Sequence, residues 1–236
     1  MMILLLIIGI FIGFFIQTII GFAGALISLP FLLFVMPLPE AISYITIFYA
    51  ISSPIHIYKE WERIDKRLLK KLILSSIIGV VIGGAVLLYS QPAVLKKALG
   101  VFIILFVINK LKSKSDFKFS PKIEYVFGFL GGFFAGVFST GGPLYVIAVK
   151  NAVIDLKTFR ATMFAILGLV TLVRIPVLVF GGVLQFEQFY YVLLVLPFFI
   201  LALFLGKKVY LRLNEATLTK VVLGLLMISG IMLLIK

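Results

Sequence analysis

The chain has 236 residues, of which 63% are hydrophobic and 13% are charged, and its formal net charge is +13. A soluble domain of this length cannot bury so much apolar surface in one core, so we expect an integral membrane protein. Cysteine is absent and His56 is the one histidine, which excludes disulfides and thiolate chemistry and argues against a histidine-built metal site. We therefore expect neither a metal nor a cofactor.

Eight apolar runs follow one another along the chain, and most have the roughly 17–25 residues that a helix needs to cross about 30 Å of hydrocarbon. We read the first run as a membrane segment rather than a removed signal peptide, because no basic leader precedes it. Two runs are too long for one span, at about 50 Å and about 40 Å as single helices, and both contain glycines near the middle. In each of these two we predict a break and a return toward the side of entry. The runs are 3–36, 41–58, 72–89, 93–109, 123–149, 158–180, 189–206 and 217–235.

Basic residues cluster between the apolar runs. Eighteen of the 22 Lys and Arg residues lie at four loops, with six in 59–71 and five in 110–122. The loops near 37–40 and 181–188 contain none. The positive-inside rule predicts that the four basic loops are cytoplasmic and that both termini face outside the cell membrane. This distribution explains the net charge without a nucleic-acid partner.

The two overlong runs resemble each other. One reads GFFIQTIIGFAGALISLPFLL (13–33), the other reads GFLGGFFAGVFSTGGPLYVIA (128–148), and three ordinary spans follow each. A hairpin returns the chain to the side from which it entered, and the three spans that follow cross the membrane three times. The second copy therefore enters from the opposite side. We predict an all-α integral membrane protein of two inverted-topology repeats, each a broken-helix hairpin plus three transmembrane helices. The repeats are 1–109 and 123–236, joined by a basic cytoplasmic linker at 110–122; chance similarity between glycine-rich helices is the alternative.

The stretch FSTGGPLYVIAVKN places hydroxyls, glycines and a proline inside an apolar run. Backbone groups freed by a break cost several kcal/mol each in hydrocarbon, unless protein covers them or they line a watery cavity. Pro143 suits the first turn of a new half-helix. Ser139 or Thr140 can cap that turn or bind a ligand through its hydroxyl. Gly141 and Gly142 allow an anion to approach the backbone closely.

In the first copy we assign the same role to Gly21 and Gly24, with Gln17 one turn earlier as a neutral donor. Half-helix N-termini at such breaks point free N–H groups at a substrate. Close helix packing is the alternative, because Gly13, Gln17 and Gly21 have the spacing of a small-residue packing motif.

Arg174, in LGLVTLVRIPVLVF, lies 14 residues after Arg160, which is about 21 Å along a helix. A lipid-facing arginine at depth costs at least about 2.5 kcal/mol, so we expect Arg174 to face the protein interior. No acid is evident at that depth, which leaves room for an anionic ligand. Snorkelling to the outer headgroups is the alternative for Arg174. Arg160 is expected at the cytoplasmic anion entrance, with an ordinary basic anchor as the alternative.

The segments QTIIGFAGALISLPFLL, STGGPLYVIAVKN and FRATMFAILGLVTLVRIPVLVFGGVL together resemble the sulfite exporter TauE/SafE family of membrane permeases. The resemblance covers nearly the whole chain and implies transport of sulfite, sulfonates or other small organosulfur or carboxylate anions. Ala23 and Ala25 stand where glycine is common, and Thr140 interrupts the second glycine run. The matching positions are Gln17, Gly21, Phe22, Gly24 and Pro30 in the first half and Ser139, Gly141, Gly142, Pro143 and Arg174 in the second.

Taken together, these features predict a secondary anion transporter whose substrate binds between the two broken helices. An enzyme is not expected, because the spans lack paired acids, histidine clusters and cysteine. A binding or scaffolding subunit of a larger permease and an anion channel are the alternatives. The expected partners are a small anion and the lipid bilayer, and a homo-oligomer is compatible with the sequence. The predicted substrate-binding residues are Gln17, Gly21, Phe22, Gly24, Ser139, Thr140, Gly141, Gly142, Pro143 and Arg174, with Arg160 at the entrance.

Overall fold

The computed structural model describes residues 1–112, 123–153 and 155–210, together with 223–224, 226–228, 230–231 and 233–234. Every regular element in these residues is helical, which confirms the predicted all-α class. Six of the helices are long and apolar enough to cross a membrane. Most of the predicted linker 110–122 lies outside the described residues, as do the basic residues Arg212 and Lys220. Of the predicted last span, 217–235, each described position is helical.

The helices begin and end close to the predicted apolar runs, with one correction. Pro39 and Glu40, which the sequence placed in a loop, belong to the first turn of a helix, where proline is well tolerated. The helices are α1 (Met2–Ile20), α2 (Gly24–Leu32), α3 (Leu38–Glu60), α4 (Lys66–Tyr89), α5 (Pro92–Lys112), α6 (Ile123–Phe138), α7 (Gly142–Ala152), α8 (Leu156–Phe180) and α9 (Glu187–Tyr210), with a 3-10 turn at Trp61–Arg63.

Both overlong runs are broken, as predicted. The first consists of α1, with 19 residues, and α2, with nine residues; the second consists of α6, with 16 residues, and α7, with 11 residues. At 1.5 Å per residue, α2 and α7 extend roughly 13–17 Å, about half of the hydrocarbon thickness. Each run therefore pairs a longer helix with a half-length one.

The half-helix α2 runs antiparallel to α1. Gly13 lies against Ser28, Gln17 lies against Gly24, and the Ser28 hydroxyl donates a hydrogen bond to the Gly9 carbonyl at 2.8 Å. Glycines at these positions allow the two backbones to approach closely. The small-residue motif of α1 therefore packs against α2. The break lies beyond the C-terminal end of α1.

Glycines also set the packing of the longer helices. Gly79 and Gly83 of α4 lie against the backbone of α6 at Phe129 and Phe133, and Gly206 of α9 lies against the Phe15 carbonyl of α1. The main contacts therefore join α4 to α6 and α1 to α9, while α3 packs along α8. This packing buries both breaks inside the bundle, where the candidate site lies.

Candidate functional site

The first break comprises residues 21–23. Gly21 adopts a left-handed conformation, with φ 89°, and its N–H donates to the Gln17 carbonyl at 2.7 Å, which ends α1. Ala23 is also left-handed, with φ 75°, and α2 begins at the next residue. Glycine adopts this conformation freely, whereas alanine is strained by about 1–2 kcal/mol. The break therefore contains a strained non-glycine residue at the position where the family resemblance expects glycine.

Two polar side chains lie in front of the α2 N-terminus. Gln17 is buried, and its amide oxygen has no hydrogen-bond partner. A Cβ added to Gly24 would collide with this oxygen and would lie 3.2 Å from the Tyr49 hydroxyl. That hydroxyl accepts a long hydrogen bond, 3.4 Å, from the Ala25 N–H. Gly24 is thus required because the Gln17 amide of α1 and the Tyr49 hydroxyl of α3 occupy the space before it.

Tyr49 is a site residue that the sequence reasoning missed. It is buried at the middle of α3 and packs edge-on against Phe14, with ring centroids 5.2 Å apart. Tyrosines in membrane proteins are enriched at the two interfaces, so a tyrosine near the middle of a span was the available signal. Its hydroxyl accepts from the Ala25 N–H at the start of α2, where a ligand is also expected.

The second break comprises residues 139–141. Ser139 is left-handed, with φ 58°, and α7 begins at Gly142 with Pro143 in its first turn, as predicted. Of the two roles expected for Ser139 or Thr140, capping of α7 is not observed, because neither hydroxyl makes a hydrogen bond. Both hydroxyls are buried and have no partner. A buried hydroxyl without a partner carries a desolvation penalty of about 1–3 kcal/mol, which a ligand can relieve.

The two breaks touch each other. A Cβ placed on Gly142 would lie 3.2 Å from the Cβ of Phe22 and 3.7 Å from the backbone nitrogen of Ala23. Gly141 is packed in turn against the Gly131 carbonyl and the Tyr145 ring. The structure therefore brings Gly142 against residues 22 and 23 of the first break, whereas Gly141 packs within its own half of the chain.

Arg174 faces the protein interior, as predicted, with 2% of its surface exposed. Its Nη1 donates to the Ala135 carbonyl at 2.9 Å, and its Nη2 lies 3.5 Å from the Thr171 hydroxyl. The Nε group has no partner. Burial on this scale excludes snorkelling to the headgroups.

The charge of Arg174 is not neutralised by an acid in the part of the chain that the structure describes. The ion pairs there join Lys71 to Glu124 and Arg160 to Glu60. Instead, the guanidinium lies at the C-terminal end of α6, whose partial negative charge of about 0.5 it offsets. The Nε–H remains available to a further acceptor.

Arg160 lies apart from this centre, about 21 Å earlier along α8. It is buried, which is not the position of an ordinary lipid-headgroup anchor, and it forms an ion pair with Glu60 at 2.9 Å. Its side chain nevertheless touches the first break, because a Cβ on Gly21 would lie 3.0 Å from the Arg160 Cγ. Arg160 thus contacts the candidate site from the side of the 59–71 loop.

The start of α8, which carries both arginines, is fixed by Asp155. Its carboxylate accepts hydrogen bonds from the backbone N–H groups of Lys157 and Thr158 at 3.0 and 2.8 Å. Hydrogen bonds from the Thr158 side chain and from these two amides hold the pKa of Asp155 below its ordinary value. This is a standard N-cap, and it sets the register that places Arg160 and Arg174.

The polar groups of the candidate site differ from a typical set of metal ligands. In the described residues no group of three or more His, Cys, Asp or Glu side chains is arranged to hold a metal ion. The unsatisfied groups include the Arg174 Nε–H and the hydroxyls of Ser139 and Thr140, which are donors. Such a set suits an oxyanion, whose several oxygens accept hydrogen bonds from charged and neutral donors.

These features define a multi-pass membrane protein with a buried polar centre between two broken helices. The sequence profile of the sulfite exporter TauE/SafE family matches residues 5–233. The chain belongs to this family of membrane transporters, and the predicted family is confirmed. The protein is accordingly a transporter and not an enzyme. Searches among curated proteins and among solved structures find no match.

Proposed function

We propose that the protein is a secondary transporter of small oxyanions such as sulfite, sulfonates or carboxylates. The substrate binds between the two breaks, in contact with the Arg174 Nε–H and the Ser139 and Thr140 hydroxyls. Gln17 and the backbone at the starts of α2 and α7 complete the site, and Gly21, Phe22, Gly24, Gly141, Gly142 and Pro143 shape its backbone.

The observation that carries this proposal is the burial of Arg174 without a carboxylate partner in the described residues. A buried arginine is expensive in a membrane protein unless its charge is compensated, and here the described residues supply a carbonyl and a hydroxyl rather than a carboxylate. An anion supplies the missing compensation and satisfies the Nε–H. The partnerless hydroxyls of Ser139 and Thr140 support the same conclusion, because both belong to the break whose preceding helix Arg174 contacts.

The helix packing supports an inverted repeat, with α1 to α5 and α6 onward as the two copies. Under this assignment α1 corresponds to α6 and α4 corresponds to α9. The contact of α1 with α9 then corresponds to the contact of α6 with α4. Likewise α3 corresponds to α8, and these two helices pack against each other. Rocking of one copy against the other exposes the centre to each side in turn. The domain limits are those expected from the sequence: 1–109, the linker 110–122, and 123–236.

For the topology, we propose a cell-membrane protein with the four basic loops in the cytoplasm and both ends of the chain outside. Arg160 then lies on the cytoplasmic side of the first break and acts as the entrance for the anion. Its buried position beside Gly21 supports this role, since an entrance residue has to contact both the mouth and the site.

The proposal is tested by uptake into proteoliposomes of radiolabelled sulfite, sulfate, thiosulfate, methanesulfonate and acetate. Saturable flux of at least one anion is expected from the wild-type protein. Arg174→Ala is expected to reduce it at least a hundredfold while the protein still elutes as a folded species. Arg67→Ala, which removes an exposed arginine of α4, is the matched control and is expected to transport normally. Undiminished flux in Arg174→Ala contradicts the proposal, and a conductance that does not saturate favours a channel.

A further inference from the structure

A second cluster of buried polar groups surrounds Arg160, outside the site between the breaks. The guanidinium carbon lies 3.9 Å from the ring centroid of Tyr210 and 5.3 Å from that of Phe164. His56 stacks on the same Phe164 ring, with centroids 4.0 Å apart and planes inclined by 4°. Helices α3, α8 and α9 therefore converge on one arginine, where the first break also touches it.

Two nitrogen atoms in this cluster have no hydrogen-bond partner. They are the Nε of Arg160 and the Nε2 of His56, and the two side chains are 5% and 8% exposed. The Glu60 carboxylate accepts one hydrogen bond from the guanidinium, from Nη2 at 2.9 Å. A carboxylate can bind an arginine through two parallel hydrogen bonds, so this one-point contact leaves binding capacity unused.

We propose that Arg160 and His56 form a second oxyanion subsite, and that the Glu60 carboxylate occupies it in this conformation as a built-in competitor. This inference rests on the proposed function. The arriving anion takes the place of the Glu60 carboxylate on the guanidinium, and Glu60 moves away. Glu60 is the last residue of α3, so its displacement requires no break inside that helix.

The subsite is connected to the central site through the first break. The Arg160 side chain packs on Gly21, and Phe22, the next residue, packs on Gly142 at the start of α7. Displacement of Glu60 frees the Arg160 side chain to move away from Gly21. The Glu60–Arg160 pair thereby closes the route from the 59–71 loop to Ser139, and the anion itself opens that route.

The test uses the absence of cysteine from the chain, which makes a single introduced thiol specific. In Ser139→Cys, the thiol reports access to the central site. Its rate of modification by the membrane-impermeant anionic reagent 2-sulfonatoethyl methanethiosulfonate is measured with the reagent added to each face of the membrane in separate experiments. Adding Glu60→Gln removes the competing charge with little change in shape. Adding Glu62→Gln instead removes an exposed charge two residues away and is the matched control.

We expect Glu60→Gln to accelerate modification at least tenfold from the face that carries the 59–71 loop, with no change from the opposite face. Glu62→Gln is expected to leave both rates unchanged. Equal rates in the two variants overturn the inference, as does acceleration from both faces, which indicates general loosening. If Glu60→Gln does not fold, Glu60→Asp replaces it in the test, because it shortens the side chain by one methylene. Glu60→Asp is expected to accelerate modification from the same face. A modification rate equal to that of the parent Ser139→Cys protein overturns the inference.

Flux measurements separate this inference from the proposed function. For a transported anion presented on the same face, Glu60→Gln is expected to lower KM several-fold, because the anion no longer competes with a carboxylate. If the wild-type protein transports none of the tested anions, the proposed function fails, while the modification rates still decide whether Glu60 closes the route.

Discussion

Arg174 and Ala135 are joined by a 2.9 Å hydrogen bond from the guanidinium Nη1 to the carbonyl oxygen. The same carbonyl accepts the Ser139 N–H at 2.9 Å, at the point where α6 ends. An arginine late in α8 therefore stabilises the C-terminal end of the broken helix α6, while its Nε–H has no partner. The contact with this helix end explains how the buried charge is tolerated without an acidic partner in the described residues.

Tyr49→Phe is expected to raise KM for the transported anion roughly two- to tenfold with a smaller change in kcat. The hydroxyl lies at the start of α2, and loss of one hydrogen bond costs about 0.5–1.5 kcal/mol. The measurement is initial-rate flux over a range of anion concentrations. Tyr44→Phe, at a buried tyrosine one and a half turns earlier in α3, is the control and is expected to match the wild type. A lower melting temperature with an unchanged KM assigns Tyr49 a structural role only.

Ala23→Gly is expected to stabilise the protein by about 1 kcal/mol, because glycine adopts the left-handed conformation observed at φ 75° without strain. The melting temperature in detergent is the readout. Ala25→Gly, two residues later inside α2, is the matched control and is expected to destabilise by about 0.5–1 kcal/mol. A decrease in melting temperature for both variants contradicts the strain at Ala23.

Two replacements of Ser139 separate the effect of its hydroxyl on KM from the effect of its backbone conformation on stability. Ser139→Ala and Ser139→Gly both remove a buried hydroxyl, whereas only glycine relieves the left-handed strain at φ 58°. Both variants are therefore expected to raise KM by a similar several-fold factor, and Ser139→Gly is expected to melt at a higher temperature than Ser139→Ala. If neither variant changes KM, the Ser139 hydroxyl does not contact the anion.

Much of the fold was predictable because membrane spans carry a strong compositional signal. The breaks were predictable as well, since glycines and hydroxyls are unusual inside an apolar run. The relative alignment of the two broken runs was harder to predict. Alignment of Gly13 with Gly128 sets Ile20 opposite Ala135, whereas the two helices end at Ile20 and Phe138. Helix packing fixes where each break falls, and the glycine pattern alone does not determine it.

The contacts between distant residues were not predictable from one sequence. Glu60 and Arg160 are 100 positions apart, and nothing near either residue indicates that they form a pair. Tyr49 enters the site through the packing of α3 against the start of α2, which no local pattern describes. Burial of Arg174 was predictable because the cost of a charge in lipid is large, but its bond to Ala135 depends on tertiary structure.

The most direct test of the account is the position of a bound anion. Crystals soaked in selenite, a heavier analogue of sulfite, locate the anion through the anomalous scattering of selenium. The account predicts a selenium peak within about 4 Å of the Arg174 Nε, beside the Ser139 and Thr140 hydroxyls, and its loss in Arg174→Ala. A well-occupied peak elsewhere in the bundle, with none between the two breaks, contradicts it.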